Sequence, residues 1–236
     1  MFRLIALLIG YLIGMFQTGY FMGKIYGIDI REHGSKNAGM TNVNRTLGKK
    51  PAFVVFVIDI IKAIIAFLIV PWILHSGAWY FDALPIGFPR YAALAFLYQY
   101  DAWAHSFGQS TFAVETLLLP GFYAGIGAVL GHNFPVFLKF RGGKGISSTL
   151  GLILILDWRV AVITFLLGIV IVIVFKYISL ASLAITFFAP VLLVVFGYDI
   201  EAVLIAVFMG ALAWFMHRDN IKRLLSGAER KFSLAK

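Results

Sequence analysis

AFVVFVIDIIKAIIAFLIVPWIL, residues 52–74, is a run of 23 residues in which Asp59 and Lys62 are the only charged side chains. A helix of about 20 apolar residues crosses the roughly 30 Å hydrocarbon layer of a bilayer. Inside that layer every backbone N–H and C=O needs a protein partner, which a helix supplies within its own segment and an open strand does not. The run therefore predicts a membrane-spanning α-helix.

Similar apolar runs lie on both sides of this segment, separated by polar connections. Together they predict seven spans, near residues 4–22, 52–74, 117–134, 146–156, 159–175, 178–197 and 200–216. The segment 146–156 is short for a full crossing, and 91–100 could form a further short helix. The chain of 236 residues is 61% hydrophobic and 13% charged, whereas soluble domains are about 45–50% apolar. We predict an all-α, polytopic membrane helix bundle that forms a single domain over residues 1–236.

The cations are concentrated in alternate connections. If the N-terminus lies outside, the connections 23–50, 135–145 and 176–177 and the tail 217–236 lie inside, and they hold sixteen of the 20 Lys and Arg residues. Lys and Arg accumulate in cytoplasmic connections, so we predict an outside N-terminus and a cytoplasmic C-terminus. The net charge of +9 can also indicate nucleic acid, but in so apolar a chain it indicates orientation in the membrane. No nucleic-acid partner is expected.

Two charged residues interrupt the second predicted span. Asp59 and Lys62 are three residues apart, so on a helix they share a face. Charged groups within a span are costly, rare and usually paired or functional. Two interpretations stay open here: a structural ion pair, or a lysine that faces a substrate.

The composition restricts the chemistry as well. The chain has no cysteine, which excludes disulfides, thiolate nucleophiles and cysteine metal sites. Its five histidines include no pair at an H-x-x-x-H spacing. We therefore expect no metal site and no cofactor.

The first polar connection contains GSKNAGMTNVNR, residues 34–45. Such a segment offers backbone N–H groups, hydroxyl and amide side chains, and a guanidinium that can bind phosphate oxygens in bidentate fashion. It is not a Walker A loop, because G-x-x-x-x-G-K-[ST] is absent. An anion-binding loop and a solvated turn both remain open for this segment.

The second connection, GHNFPVFLKFRGGKG, spans residues 131–145. It places three cations close to a glycine turn that opens the next predicted helix. Helix N-termini attract anions, and Gly142 and Gly143 would let a phosphate approach the backbone. A loop that only sets the membrane orientation would not need these glycines, so we favour a phosphate-binding role.

The third segment, HRDNIKRLLSGAE, covers residues 217–229 at the end of the last span. On a continuing helix His217 and Asn220 share a face, and Glu229 follows a glycine that could turn the tail back. An amphipathic basic tail on anionic lipid is the alternative. Because all three segments fall on the same predicted side, we expect them to form a shared cytoplasmic site for phosphate-bearing substrates.

At these segments the chain resembles the bacterial acyl-phosphate:glycerol-3-phosphate acyltransferase family of integral membrane enzymes. Residues 34–48 fit the family pattern G-S-x-N-x-G-x-T-N-V-x-R-T-L-G, and residues 131–145 fit G-H-x-x-P-V-F-L-x-F-x-G-G-K-G. Residues 217–229 fit H-R-x-N-I-x-R-L-L-x-G-x-E. Three ordered patterns of this length are highly specific. The connection 75–116 is longer than the family usually has and falls on the extracytoplasmic side as an insertion.

The resemblance implies an acyltransferase of phospholipid synthesis. The enzyme would move a fatty acyl group from a long-chain acyl phosphate to the sn-1 hydroxyl of glycerol 3-phosphate, giving lysophosphatidic acid and phosphate. It also implies a multi-pass protein of the bacterial inner membrane with its site facing the cytoplasm. We expect it to work in membrane lipid as a monomer.

The three segments supply the expected site residues. Candidates for catalysis are His217, Asn220, Ser35, Arg45 and Lys144. Candidates for substrate and phosphate binding are Asn37, Thr41, Asn42, Gly142, Gly143, His132 and Glu229. In this hypothesis Arg45, Lys144 and the amides around Gly142 and Gly143 hold the two phosphates.

The proton acceptor and the protein class leave alternatives. His217 or a substrate phosphate oxygen would take the proton from the glycerol hydroxyl. A covalent acyl-Ser35 intermediate is less favoured, since no base lies near it in sequence and acyl phosphate is already activated.

A secondary transporter for organic phosphates would also need many spans and a basic pocket, but near the midplane. A structural lipid-binding protein would explain the charges but not the glycine and amide patterns.

Overall fold

The computed structural model describes residues 2–76 and 119–232. Every regular element in these ranges is helical. The helices are α1 Phe2–Gly14, α2 Thr18–Ile25, α3 Met40–Leu47, α4 Lys49–Ser76, α5 Leu119–Asn133, α6 Ile146–Leu156, α7 Trp158–Phe175, α8 Ile178–Val195, α9 Ile200–Met216 and α10 Arg218–Leu225. The chain divides into two compact units, Met1–Leu156 and Asp157–Lys236. Most of the predicted insertion, from residue 77 to residue 116, lies outside the described ranges, as does the helix considered at 91–100.

Four segments of the described chain are long and apolar enough to span a membrane: Phe2–Ile25, Lys49–Pro71, Trp158–Phe175 and Ile178–Val195. A fifth is formed if α9 and α10, which meet at a bend of 63°, count as one span. The predicted span 146–156 is the shorter apolar helix α6, and the span 117–134 is described from residue 119 as α5. The all-helical prediction is confirmed for the described residues. The count of seven and the orientation stay predictions.

In the first unit, α1 and α5 pack backbone against backbone. A Cβ atom at Gly10 or Gly14 would lie 1.9 Å or 2.0 Å from a carbonyl oxygen of α5. At Gly127 and Gly131 it would lie 2.1 Å from a carbonyl oxygen of α1. Such close approach between apolar helices requires small residues, as in other membrane bundles. The packing brings the C-terminal end of α5 against the break between α1 and α2.

The first polar connection packs onto the start of α4. Ile30, Ala38 and Val43 form a buried apolar cluster with Ala52 and Val55 of α4. The helix α3 therefore places one face on α4 and leaves the opposite face, with Arg45, exposed. This apolar contact is what holds the predicted anion-binding segment at the end of the membrane helix.

In the second unit, α8 packs against both α7 and α9. Asp157 caps α7 by accepting from the backbone N–H of Arg159, and Asp199 caps α9 by accepting from the N–H of Ala202. Each cap satisfies an N–H group that the first helical turn leaves without a helical acceptor. The tail after α10 turns at Gly227, which has a φ of +71°, a conformation that glycine adopts without strain.

Candidate active site

The amide of Asn42 organises the first polar connection. Its Nδ2 lies 2.9–3.0 Å from the carbonyl oxygens of Ile30, His33 and Asn37, which share its two N–H groups. Its Oδ1 accepts from the N–H of Ser35 at 2.7 Å. The side chain is 1% exposed. These hydrogen bonds show that the Asn42 amide shapes the loop, and our expectation that it also binds substrate stays a prediction.

The loop that Asn42 organises presents the other candidates of the first segment. Ser35 and Arg45 are exposed, and Asn37 and Thr41 are half-buried. Thr41 and Arg45 are four residues apart on α3, so they project from the same helix face. Gly34 has a φ of +59°, and a Cβ there would lie 2.2 Å from Asn42 Oδ1. The loop can therefore offer a hydroxyl, an amide and a guanidinium to one anionic ligand.

The second polar connection folds back onto the end of α5. The N–H of Gly142 donates to the carbonyl of Asn133 at 3.2 Å, and the N–H of Gly143 donates to the carbonyl of His132 at 3.0 Å. These two N–H groups thus donate within the fold, and a role of Gly142 and Gly143 in binding phosphate stays a prediction. A Cβ at Gly142 would lie 2.0 Å from the His132 carbonyl oxygen. The glycines let the turn approach α5, and they set the positions of Lys144 and of the N-terminus of α6.

His132 is also placed differently from our expectation. It is 3% exposed, and its Nδ1 lies 2.6 Å from Lys62 Nζ. A Cβ at Gly143 would lie 1.9 Å from its Nε2. The imidazole thus lies beneath the glycine turn and faces α4, where it supports the turn, and its expected contact with substrate stays a prediction.

The first and second segments meet in the first unit. Asn37 Nδ2 donates to the carbonyl of Gly142 at 3.4 Å, and Arg31 Nη1 donates to the carbonyl of Leu138 at 3.5 Å. A hydrogen bond from the Arg31 guanidinium to Asp29 lowers the pKa of that carboxyl to about 2. The remaining cations of the two connections outnumber their acids, so the joined loops carry a positive charge suited to phosphate.

The third segment lies in the second unit and centres on Glu229. Glu229 is 8% exposed; its Oε1 accepts from Asn220 Nδ2 at 2.8 Å and from Ser179 Oγ at 3.0 Å, and its Oε2 accepts from Arg223 Nε at 2.7 Å. Glu229 therefore fixes the tail and the Asn220 amide within this unit. The expected contact of Glu229 with substrate stays a prediction.

His217 stands at the bend between α9 and α10 and is 4% exposed. Its Nδ1 lies 2.8 Å from the carbonyl oxygen of Ala213, one turn earlier. A carbonyl only accepts, so Nδ1 carries the proton and the lone pair of the neutral ring is on Nε2. That is the tautomer a general base needs. That the third segment lies beside the first and second segments stays a prediction.

A pH dependence follows from the contacts of Glu229. Burial raises the pKa of this carboxyl, but the hydrogen bonds from Asn220, Arg223 and Ser179 outweigh burial and hold the pKa below its ordinary value. A lowered folded-state pKa adds stability that is complete above the unfolded-state pKa and is lost as the pH falls through the folded value. Glu229→Gln should lose about 1–3 kcal/mol of stability at neutral pH.

The measurement is the thermal unfolding midpoint of both proteins in detergent between neutral pH and pH 3. The gap between wild type and Glu229→Gln should be widest near neutral pH and close as the acid range is entered. A gap that stays constant over this range would contradict the proposed ionised contact.

Sequence reasoning missed Gln17 and Thr18, which lie at the break between α1 and α2. Gln17 Nε2 donates to the carbonyl of His132 at 2.8 Å, and Thr18 Oγ1 donates to Asp59 Oδ1 at 3.0 Å. Both residues are buried. The available signal was a pair of polar residues inside an otherwise apolar span.

Several apolar helices and a cation-rich pair of loops define an all-helical integral membrane protein with a site suited to anions. The chain matches the family model for glycerol-3-phosphate acyltransferase over residues 4–227. It is 35% identical over 232 residues to the glycerol-3-phosphate acyltransferase of Alkaliphilus metalliredigens, covering 98% of this chain and 96% of that protein. The corresponding protein of Aquifex aeolicus is 34% identical over 229 residues, with coverage of 97% and 98%.

Solved structures share the fold. The crystal structure of PlsY (YgiH), an integral membrane glycerol 3-phosphate acyltransferase, in its glycerol 3-phosphate form has a TM-score of 0.75 and 33% identity, covering 98% of this chain and 96% of that chain. The lysophosphatidic acid form has a TM-score of 0.73 and 32% identity, with coverage of 98% and 95%. The chain belongs to the glycerol-3-phosphate acyltransferase family, and it is an acyltransferase.

The glycine turn provides a direct test of the second segment. In Gly143→Ala the new methyl group would lie 1.9 Å from His132 Nε2, so the turn or the imidazole must move. A misplacement of about 1 Å can cost roughly 100-fold in rate, and we expect kcat/KM for acyl transfer to fall about 10–100-fold. Gly227→Asn is the control, because Gly227 has open space around it and Asn tolerates a positive φ. Wild-type kcat/KM in Gly143→Ala would contradict the packing described here.

Proposed function

We propose that this protein transfers a fatty acyl group from a long-chain acyl phosphate to the sn-1 hydroxyl of glycerol 3-phosphate. The products are lysophosphatidic acid and inorganic phosphate, as the first step of phospholipid synthesis. The observation that carries the proposal is the contact of Asn37 with Gly142, which joins the two phosphate-suited segments into one cation-rich site. The enzyme acts as a monomer in the bacterial inner membrane, with this site on the cytoplasmic side.

The solved relatives support the substrate class. Those proteins are described in a glycerol 3-phosphate form and a lysophosphatidic acid form, which are the acceptor and the product of the proposed reaction. The match covers 96% and 95% of those chains.

The reaction needs one new bond and one broken bond. The glycerol hydroxyl oxygen attacks the carbonyl carbon of the acyl phosphate, and a tetrahedral intermediate forms. The carbon–oxygen bond to phosphate then breaks, and phosphate leaves with that electron pair. Arg45 and Lys144 stabilise the negative charge of the intermediate and of the leaving phosphate, as preorganised cations do in other acyl and phosphoryl transfers.

The neutral polar residues orient the reactants. Ser35, Asn37 and Thr41 donate hydrogen bonds to phosphate oxygens, the first two from the loop that Asn42 holds and Thr41 from the first turn of α3. Hydrogen bonds to a charged oxygen are roughly twice as strong as neutral ones. Since acyl phosphate is an activated donor, Ser35 serves as a donor and not as a nucleophile in this scheme.

His217 is the proposed proton acceptor. The contact of its Nδ1 with the Ala213 carbonyl keeps the lone pair on Nε2, which can take the proton of the glycerol hydroxyl and pass it to solvent. Asn220, held by Glu229 at 2.8 Å, positions the same hydroxyl. A phosphate oxygen of the substrate is the competing acceptor, and the His217 variant described in the Discussion separates the two.

The test is phosphate release by the purified protein in lipid cubic phase. Palmitoyl phosphate is supplied with and without glycerol 3-phosphate, and palmitoyl-CoA serves as the control donor. We expect release that requires both substrates, no turnover of the thioester, and lysophosphatidic acid acylated at sn-1. Turnover with palmitoyl-CoA would overturn the donor assignment. Absence of turnover, together with uptake of glycerol 3-phosphate into proteoliposomes, would identify a transporter.

A further inference from the structure

Three ionisable residues are buried together beneath the glycine turn of the second segment. Asp59 and Lys62 of α4 are 1% and 5% exposed, and His132 of α5 is 3% exposed. Removing charges from water is costly, and a buried ion pair is often no more stabilising than apolar residues of similar volume. Stability alone therefore does not account for this cluster.

Each hydrogen of the Lys62 ammonium faces an acceptor. Nζ lies 2.8 Å from Asp59 Oδ1, 3.0 Å from the carbonyl oxygen of Phe16 and 2.6 Å from His132 Nδ1. An ammonium has only donors, so His132 Nδ1 must accept and the ring proton is on Nε2. Lys62 thereby fixes the tautomer and the plane of the imidazole.

The His132 imidazole lies against the glycine turn. Its Nε2 occupies the space beside the Gly143 Cα, where a Cβ would lie 1.9 Å away. The backbone carbonyl of His132 accepts from the N–H of Gly143 at 3.0 Å and from Gln17 Nε2 at 2.8 Å. A rotation of the ring would therefore displace Gly143, and Lys144 is the next residue in the chain.

We infer that Lys62, held by Asp59, is a positioning residue that acts through His132 on the Gly143–Lys144 turn and so sets the affinity of the enzyme for its phosphate groups. The inference rests on the proposed role of Lys144 in binding phosphate. Of the two interpretations that the sequence left open, the ion pair with Asp59 is present, and His132 is a further partner of Lys62.

The main test is the double variant Asp59→Asn, Lys62→Met, which removes both charges and the donor to His132 and keeps the approximate volumes. We expect its KM for glycerol 3-phosphate or palmitoyl phosphate, and its inhibition constant for inorganic phosphate, to rise about tenfold or more, since small misplacements have effects of this size. Its kcat should change by less than the KM. A cluster that only holds helices together would lower the amount of folded enzyme and leave KM unchanged.

Tyr198→Phe is the matched control. It removes the hydrogen bond of 3.0 Å from Tyr198 to Asp157 in the second unit, so it also weakens a partly buried polar contact. It should lower the unfolding midpoint and leave the KM values within about twofold. Unchanged KM and phosphate inhibition in the folded double variant would overturn the inference.

A second variant and a binding measurement keep the test decisive. If the double variant does not fold, His132→Asn keeps an acceptor near the position of Nδ1 and removes the ring edge beside Gly143. It should show the same rise in KM, and an unchanged KM would overturn the inference.

If wild type shows no turnover, the proposed function fails, and the inference is then decided by calorimetric titration of inorganic phosphate. Equal affinity of wild type and variant would refute it.

Discussion

Arg45→Ala is expected to lower kcat/KM for acyl transfer by about two to three orders of magnitude, the loss seen when one preorganised donor to a developing oxyanion is removed. Arg45 is exposed on the face of α3 that also carries Thr41, and its guanidinium can bind two phosphate oxygens at once. A lysine offers only a point charge at this place. Arg45→Lys should therefore recover part of the activity and not all of it.

Lys50→Ala is the control for Arg45→Ala. Lys50 is also an exposed cation, and it lies in the first turn of α4. Its removal lowers the local charge by the same amount and should change kcat/KM by less than about threefold at physiological salt, because exposed charges are largely screened. Initial rates of phosphate release at low substrate measure both variants. Equal losses in the two would show that general charge, and not the Arg45 contact, governs the rate.

His217→Ala should lower kcat by about 10²–10⁴-fold, the usual contribution of a positioned general base. The substitution removes the Nε2 lone pair and also the Nδ1 contact with the Ala213 carbonyl at 2.8 Å. His217→Gln keeps a polar side chain of similar reach without an imidazole, and we expect it to recover folding but not kcat. Substrate binding should change little, so the loss should appear in kcat more than in KM.

The pH profile separates the two proton acceptors. With His217 as the base, kcat of the wild type should fall on acidification, and this fall should be absent from the residual activity of His217→Gln. His33→Ala is the control, since His33 is exposed in the first polar connection. A His217→Gln enzyme that keeps its kcat would make the substrate phosphate the acceptor.

The spans could be predicted from the sequence because hydrophobicity is a local property. The predicted limits 159–175 and 200–216 agree with α7 and α9 to within one residue, and Asp157 and Asp199 supply caps that can be recognised from sequence. The break inside the first span could not be predicted in the same way. At this break the Phe16 carbonyl oxygen accepts a hydrogen bond of 3.0 Å from Lys62 Nζ, and Lys62 lies 46 residues further along the chain.

The three segments of the candidate site could be predicted from the sequence, but the hydrogen-bond partners of their individual residues could not. Asn37 of the first segment contacts Gly142 of the second, while a site shared by all three segments stays a prediction. Asn42, His132 and Glu229 were predicted to contact substrate, because an amide, an imidazole and a carboxylate have the right chemistry for it. All three side chains are buried and have polar partners within the protein, while their contacts with substrate stay predictions.

The hydrophobicity of the sequence was enough to predict a helical membrane protein and the positions of its polar segments. The three motifs in those segments were enough to identify its family. Hydrophobicity depends on residues that are neighbours in the sequence, and the family depends on motifs that the sequence itself contains. The partners of Asp59, Lys62 and His132, and the use of the Gly142 and Gly143 amides, depend on which helix ends meet in space. A hydrogen bond requires approach to about 3 Å, and only the folded packing of α1, α4 and α5 brings these atoms that close.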